Sequence, residues 1–391
     1  MPGKSSGSPV IWENRVFIVS AVPTSAQSQP SAASSAQSGN RGGRRGRRGP
    51  AGGGALPELE FRVMCFDRKT GKQLWNQLAV TATPHEGTHS TNGFASASPC
   101  TDGQNVYAHF GSRGLFCYSV DGELQWSRTD LGKMQMRAGF GEGSSPTLAG
   151  DKVILPLDHE GASKLYALNK ATGDTIWSVD RDEPSCWATP LVVNRSDSAS
   201  KQVVMNGQNY ARGYDLETGK ELWRCSGQTQ RPVASPVANE NAVYVGSGFR
   251  GSFLGAFKLD ATGDIAGSNS VAWTVSQDTP DIASPVLSGN RMYYHKEKTG
   301  ILTCVDVRTG EPLFERSRLP DIRSTYASPI AAGGYVFATG RSGKTVVIKD
   351  ADKLEVVSVN DLGEGVDATP AAVDNELFIR GENHLFCIRA E

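Results

Sequence analysis

Short apolar runs punctuated by turn residues recur along this chain in a fixed order. The order is clearest in Ser145-Ser-Pro-Thr-Leu148, then Asp151-Lys-Val-Ile-Leu-Pro-Leu157, then Lys164-Leu-Tyr-Ala-Leu-Asn169, and finally Asp174-Thr-Ile-Trp177. Runs this short, bounded by Gly, Asp, Asn and Thr, predict four strands, lettered A to D. A small residue and a proline open each set, at Ser8-Pro9, Ser98-Pro99, Ser145-Pro146, Thr189-Pro190, Ser235-Pro236, Ser284-Pro285, Ser328-Pro329 and Thr369-Pro370. From Pro99 onward the prolines stand 47, 44, 46, 49, 44 and 41 residues apart. A four-stranded unit of that length cannot bury both faces alone and must stack against copies of itself. The spacing therefore predicts an all-β, eight-bladed β-propeller of four-stranded antiparallel blades.

The turn between strands C and D recurs as Asp67-Arg-Lys-Thr-Gly71, Asn169-Lys-Ala-Thr-Gly173, Asp215-Leu-Glu-Thr-Gly219 and Asp306-Val-Arg-Thr-Gly310. Asp or Asn can accept hydrogen bonds from the turn's own amides and Gly tolerates positive φ, so the string specifies a tight hairpin. A tryptophan follows at one point in five successive units, Trp75, Trp126, Trp177, Trp223 and Trp273. Repetition at one structural position is what packing between blades demands.

The string Ala-x-Asp/Asn-x-x-Thr-Gly-x-x-x-Trp, complete at Ala167 to Trp177 and with one substitution at Cys65 to Trp75 and Gly213 to Trp223, resembles the tryptophan-docking repeat of PQQ-type propellers. That superfamily includes quinoprotein alcohol dehydrogenases and the propeller lipoprotein of the bacterial outer-membrane assembly machinery. The resemblance implies the fold across nearly the whole chain, and many relatives keep the repeat without binding a quinone. For a quinoprotein it implies arginines on the PQQ carboxylates and a Ca²⁺ ion among acidic and amide oxygens. The adjacent cysteine pair that many such dehydrogenases carry under the quinone is absent here.

The strand tally adds a defect to the picture. The eighth set stops after strand C at Cys387-Ile-Arg-Ala-Glu391, so the last blade is expected to be incomplete, with three strands and an open edge. The first set is interrupted between Arg15-Val-Phe-Ile-Val-Ser-Ala-Val22 and Phe61-Arg-Val-Met-Cys65 by a segment at about 23–60 rich in Ser, Ala, Gln and Gly. Such a segment buries too little apolar surface to order itself and is expected to form a loop. Its cluster Arg41, Arg44, Arg45, Arg47 and Arg48 can hold a polyanion, but with no interleaved aromatic residues a solvated tether is the expectation over nucleic-acid binding.

Composition narrows the class. The 40 basic and 41 acidic residues cancel, which gives no global attraction to nucleic acid or to a membrane surface. No apolar stretch approaches the roughly 18 residues of a transmembrane helix. A single domain and a monomer are expected. The start, MPGKSSGSPV, runs straight into the first strand without a signal peptide. Relatives are usually exported, so either the chain acts in the cytoplasm or its true start lies upstream. Seven cysteines form no CxxC pair, which disfavours a structural zinc site; Cys65, Cys117, Cys304 and Cys387 share one slot of strand C, where small buried residues pack.

Topology directs attention to one face. With strands running A to D outward, the D-to-A connections between blades and the B-to-C connections within them emerge together around the central channel. The D-to-A loops carry His85, Glu86, His89, Asn92, Arg137, Glu142, Asp182, Glu183, Trp187, Asp281, Arg323, Tyr326 and Asp367. The B-to-C loops set an arginine beside glycine at Arg113, Arg212, Arg250 and Arg341. These arginines either converge as a partial cationic ring for a carboxylate or phosphate, or pair with Asp182, Glu142 and Asp281.

Three functions follow as expectations. The first is a non-catalytic platform that binds a protein or a small anionic ligand on the loop face. The second is a dehydrogenase using PQQ and Ca²⁺. The third is a metal-assisted hydrolase or lyase built on His85, His89, Asp158 and His159. No cofactor is assigned.

Overall fold

A computed structural model describes residues 1–24 and 56–389, and the Gly/Arg cluster of 41–48 lies outside them. Eight sheets are present. Blade 1 is built from Val10–Trp12, Arg15–Pro23, Leu59–Asp67 and Gln73–Ala82. Blades 2 to 7 repeat the A-B-C-D order, and blade 8 holds three strands, Ala371–Val373, Glu376–Arg380 and Leu385–Arg389. Neighbouring strands within these repeats are antiparallel. Strand A of blade 8 adjoins strand A of blade 1, so the ring is complete in number.

The opening Ser/Thr of each repeat has a bonding role. The Ser8 amide donates to the Ser98 hydroxyl at 2.9 Å, Ser98 to Ser145 at 2.9 Å, Ser145 to Thr189 at 3.3 Å, and Thr189 to Ser235 at 2.9 Å. Ser235 continues to Ser284 at 2.9 Å, Ser284 to Ser328 at 2.9 Å, and Ser328 to Thr369 at 3.0 Å. The proline that follows has no amide to satisfy, so the amide before it can point along the ring rather than into its own sheet. This hydroxyl ladder binds each blade to the next around the axis.

A second ring of contacts lies further out. Trp75, Trp126, Trp177 and Trp273 donate their indole N–H to a carbonyl in the C-to-D turn of the following blade, at 2.9 to 3.0 Å. The turn glycine lies on the ring: a Cβ on Gly173, at φ +79°, would sit 2.7 Å from Trp126. Blade 5 breaks this rule because its C-to-D connection is longer, with 16 residues between the paired Ala256 and Trp273 where blade 3 has nine between Ala167 and Trp177. There Trp223 donates to Gln202 Oε1 at 2.7 Å, and Gln202 Nε2 relays the bond to the Leu259 carbonyl at 2.7 Å. The wider turn also adds Gly263–Asp264 as a short parallel strand on blade 4.

The seam between blades 8 and 1 is different. Among the described residues the ladder makes no step from Thr369 to Ser8. Arg68 instead reaches from blade 1 to Asp374 at 2.8 Å, Glu376 at 2.5 Å and the Val373 carbonyl at 3.2 Å. Arg380, fully buried, donates to the Val19 carbonyl at 2.5 Å. Of the four cysteines sharing the strand C slot, Cys65, Cys117 and Cys304 are buried under a strand D aromatic, whereas Cys387 is exposed.

Candidate functional site

The ladder hydroxyls line a cavity of about 420 Å³ on the channel axis, at the end where the D-to-A and B-to-C loops emerge. Ser8, Ser98, Thr189, Ser235, Ser284 and Thr369 contribute to its wall. Each of these except Ser8 spends its oxygen as an acceptor for a neighbouring amide, so the hydroxyl hydrogen stays available as a donor. The same residues therefore hold the ring together and pave the site.

His89, Asn92, Trp187, Tyr326 and Asp367 reach this cavity. His89 meets Phe140 edge-on, with ring centroids 5.4 Å apart, and its Nδ1 lies 2.8 Å from the Thr91 hydroxyl. Partial burial lowers its proton affinity, reinforced by the positive charges of Lys298, Arg231 and Arg341. Thr91 in turn lies 3.0 Å from the Tyr326 hydroxyl, and Trp187 donates its indole N–H to the Gly141 carbonyl at 2.6 Å. Arg341 grips both oxygens of Asp367, at 2.6 and 3.0 Å, with its guanidinium 4.1 Å above the Tyr326 ring.

The remaining candidates sit elsewhere. Arg113 pairs with Glu142, which also accepts the Ser112 amide at 2.8 Å. Arg212 is buried against Asp182, Glu183 and Glu221. Asp158 is bound on both oxygens by Arg181, at 2.8 and 3.0 Å, with both side chains fully buried. Arg137 lies 3.1 Å from Gln208 and 3.4 Å from Glu160, and His159 Nδ1 accepts the amides of Gln135 and Gly161 at 3.2 and 3.0 Å. Arg250 and Arg323 are exposed to solvent. Asp281 is buried, 3.5 Å from Arg231; burial pushes its carboxyl up, opposed by the charges of Arg231 and Lys298.

His85 is brought together with Glu86 and Glu142, one ligand atom from each lying within 4.8 Å of the others. A metal there would compete with Arg113 for Glu142 and with the Met134 carbonyl, 2.6 Å from His85 Nε2. A quinone and Ca²⁺ fare no better in the axial cavity. Asp367 is engaged by Arg341, Asn92 Oδ1 accepts from the Gly93 amide and the Ser96 hydroxyl, and no two cysteines are adjacent. This donor set does not fit that pair.

Four cavity residues carried no sequence signal as site residues. Phe140 and Phe249 sit inside the loop strings Arg137-Ala-Gly-Phe-Gly and Gly248-Phe-Arg250-Gly, beside the charged residues that drew attention. Lys298 occupies the B-to-C loop of blade 6, where other blades place arginine. Arg231 stands before Pro232 at φ +45°, a left-handed backbone that aims its guanidinium over the Phe249 ring at 3.5 Å.

A sequence model of the family described as outer membrane protein assembly factor BamB matches residues 60–316. The chain belongs to the BamB family. No curated protein matches the sequence. Among solved structures, BamB from Moraxella catarrhalis is 13% identical with a TM-score of 0.56, covering 84% of this chain and 92% of that one. The quinohemoprotein alcohol dehydrogenase from Comamonas testosteroni is 10% identical with a TM-score of 0.59, over 97% of this chain and 70% of that one. A europium-containing methanol dehydrogenase gives 10% and 0.57, over 96% and 82%. At these identities the likeness to each structure is one of fold, which BamB and the quinoproteins share. No helix among the described residues is long and apolar enough to cross a membrane.

Proposed function

We propose that this BamB-family chain is a binding propeller that performs no chemistry of its own and captures an anionic group in the axial cavity. The observation that carries the reading is the wall of that cavity. Arg231 and Lys298 face a space lined by Phe140, Trp187, Phe249 and Tyr326, a combination suited to a charged group on an apolar body. The group belongs either to a free small molecule or to a partner protein docked on the surrounding loops, and the family's description as an assembly factor favours partners of the second kind. The hydrolase reading would need Asp158, whose two oxygens are taken by Arg181.

A melting screen against small carboxylates, inorganic phosphate and acidic peptides tests the proposal when run on wild type and on Val233→Trp, which narrows the cavity. A stabilising shift in the wild type that disappears in the variant is expected, because a ligand that binds only the folded state raises its melting temperature. A shift that survives in the variant, or no shift with any anion, contradicts it.

A further inference from the structure

We infer that the axial cavity is built for a singly charged carboxylate carried on an aromatic body. This rests on the proposed binding role and names the ligand chemistry of that same site. The charge count of the wall leads there. Arg341 and Asp367 neutralise each other through two short bonds. Arg231 shares Asp281 at 3.5 Å, and Lys298 acts on the same carboxyl without an ion pair of its own among the described residues. His89 is held towards its neutral form by partial burial and then by its three cationic neighbours. Two cations against the buried carboxylate of Asp281 leave one net positive charge, which one anionic group balances. A tricarboxylate such as PQQ would instead set its further charges against Asp281 and Asp367.

Position and shape agree with the charge. The Arg231 guanidinium lies 3.5 Å above the Phe249 ring and 5.5 Å from the Phe140 ring, so it is fixed before any ligand arrives. Its Nε and the Asp281 Oδ1 are buried without a hydrogen-bond partner. An ion pair that well formed would leave neither atom orphaned, and an incoming carboxylate supplies the acceptor that Arg231 lacks. Phe140 and Trp187, with ring centroids 6.3 Å apart, continue the apolar wall beside Arg231. A cavity of about 420 Å³ accommodates one ring and its acid group.

Calorimetric titration of the full chain with 3-phenylpropanoate, its neutral amide and PQQ tests this inference. The acid is expected to bind at least about tenfold more tightly than the amide, and Arg231→Gln to erase that difference. Lys298→Gln should weaken the acid by a smaller factor, and Asp281→Asn should shift preference towards the dianion phenylphosphonate. An amide that binds as well as the acid overturns the charge assignment and leaves the cavity as the site. PQQ binding more tightly than the monocarboxylate overturns it as well. Failure of both probes, with a melting shift from some other anion, overturns the inference but keeps the binding role; no shift from any anion removes both.

Discussion

The loop cations of blades 2 and 4 and that of blade 6 start from the same place in the repeat and end in opposite states. Arg113 and Arg212 leave their B-to-C loops and meet a carboxylate from a D-to-A loop, Glu142 in one case and Asp182 with Glu183 in the other. Lys298 leaves the equivalent loop of blade 6, but the D-to-A loop that follows offers Arg323 and Tyr326 rather than a free carboxylate. Arg231 meets Asp281 only at 3.5 Å. A buried charge with no partner is costly, and Arg113 and Arg212 lie between blades where the repeat also supplies the acid. Where the acid is missing, the cation turns to the channel and stays available to a ligand.

That contrast can be broken from its paired side. Asp158→Ala strands Arg181 in a fully buried position and is expected to cost about 3–5 kcal/mol in urea unfolding, the range for removing one partner of a buried ion pair. A loss below about 1 kcal/mol would show that pairing does not hold these loops.

Acid sharpens it next. His109, beside the Arg113–Glu142 pair, and His295, on the blade that carries Lys298, are both buried and pushed down to about 4 by that burial. Their folded-state affinity for protons lies below the ordinary histidine value of 6.5, so the neutral forms stabilise the fold fully above pH 6.5 and that contribution is lost as pH falls towards 4. The loss is up to about 3 kcal/mol per histidine, read from unfolding midpoints at pH 7, 6, 5 and 4. A flat profile over that range would mean that the imidazoles find partners when charged.

Arg380 separates burial from pairing. It is fully buried at the blade 8 seam with no carboxylate beside it among the described residues, and burial pulls its guanidinium down to about 10. Arg380→Met gives up the bond to Val19 but also removes a charge that burial already disfavours, so stability should stay within about 1 kcal/mol of wild type. A loss as large as that of Asp158→Ala would make Arg380 the main closure of the ring.

The architecture was legible in the sequence because each blade must solve the same packing problem. The Ser/Thr-Pro marks, the Asp or Asn turns and the docking tryptophans are local solutions repeated at one position. The three-stranded last blade was legible too, from the missing strand D. The parallel strand added to blade 4 lies in the lengthened C-to-D connection of blade 5, whose extra residues before Trp273 are visible in the sequence, and only tertiary pairing shows where the widened loop goes. The site was half legible. His89, Asn92, Trp187, Tyr326 and Asp367 could be placed near the channel by topology, yet whether a loop arginine faces ligand or carboxylate depends on contacts between loops some 30 residues apart, such as Arg212 with Glu183. Arg231 was hidden further, because its direction is set by a left-handed backbone that no residue preference announces.

The division of the loop cations into ring-holding and ligand-facing sets is tested most directly by comparing Arg113→Gln with Lys298→Gln, reading melting temperature and 3-phenylpropanoate affinity on both. Arg113→Gln leaves Glu142 largely buried without its partner and is expected to lower the melting temperature by several degrees while the folded protein binds the acid as before. Lys298→Gln, at an exposed position, should change stability by less than about 0.5 kcal/mol and weaken the acid. If both variants shift the same quantity, or the two effects are exchanged, the division fails.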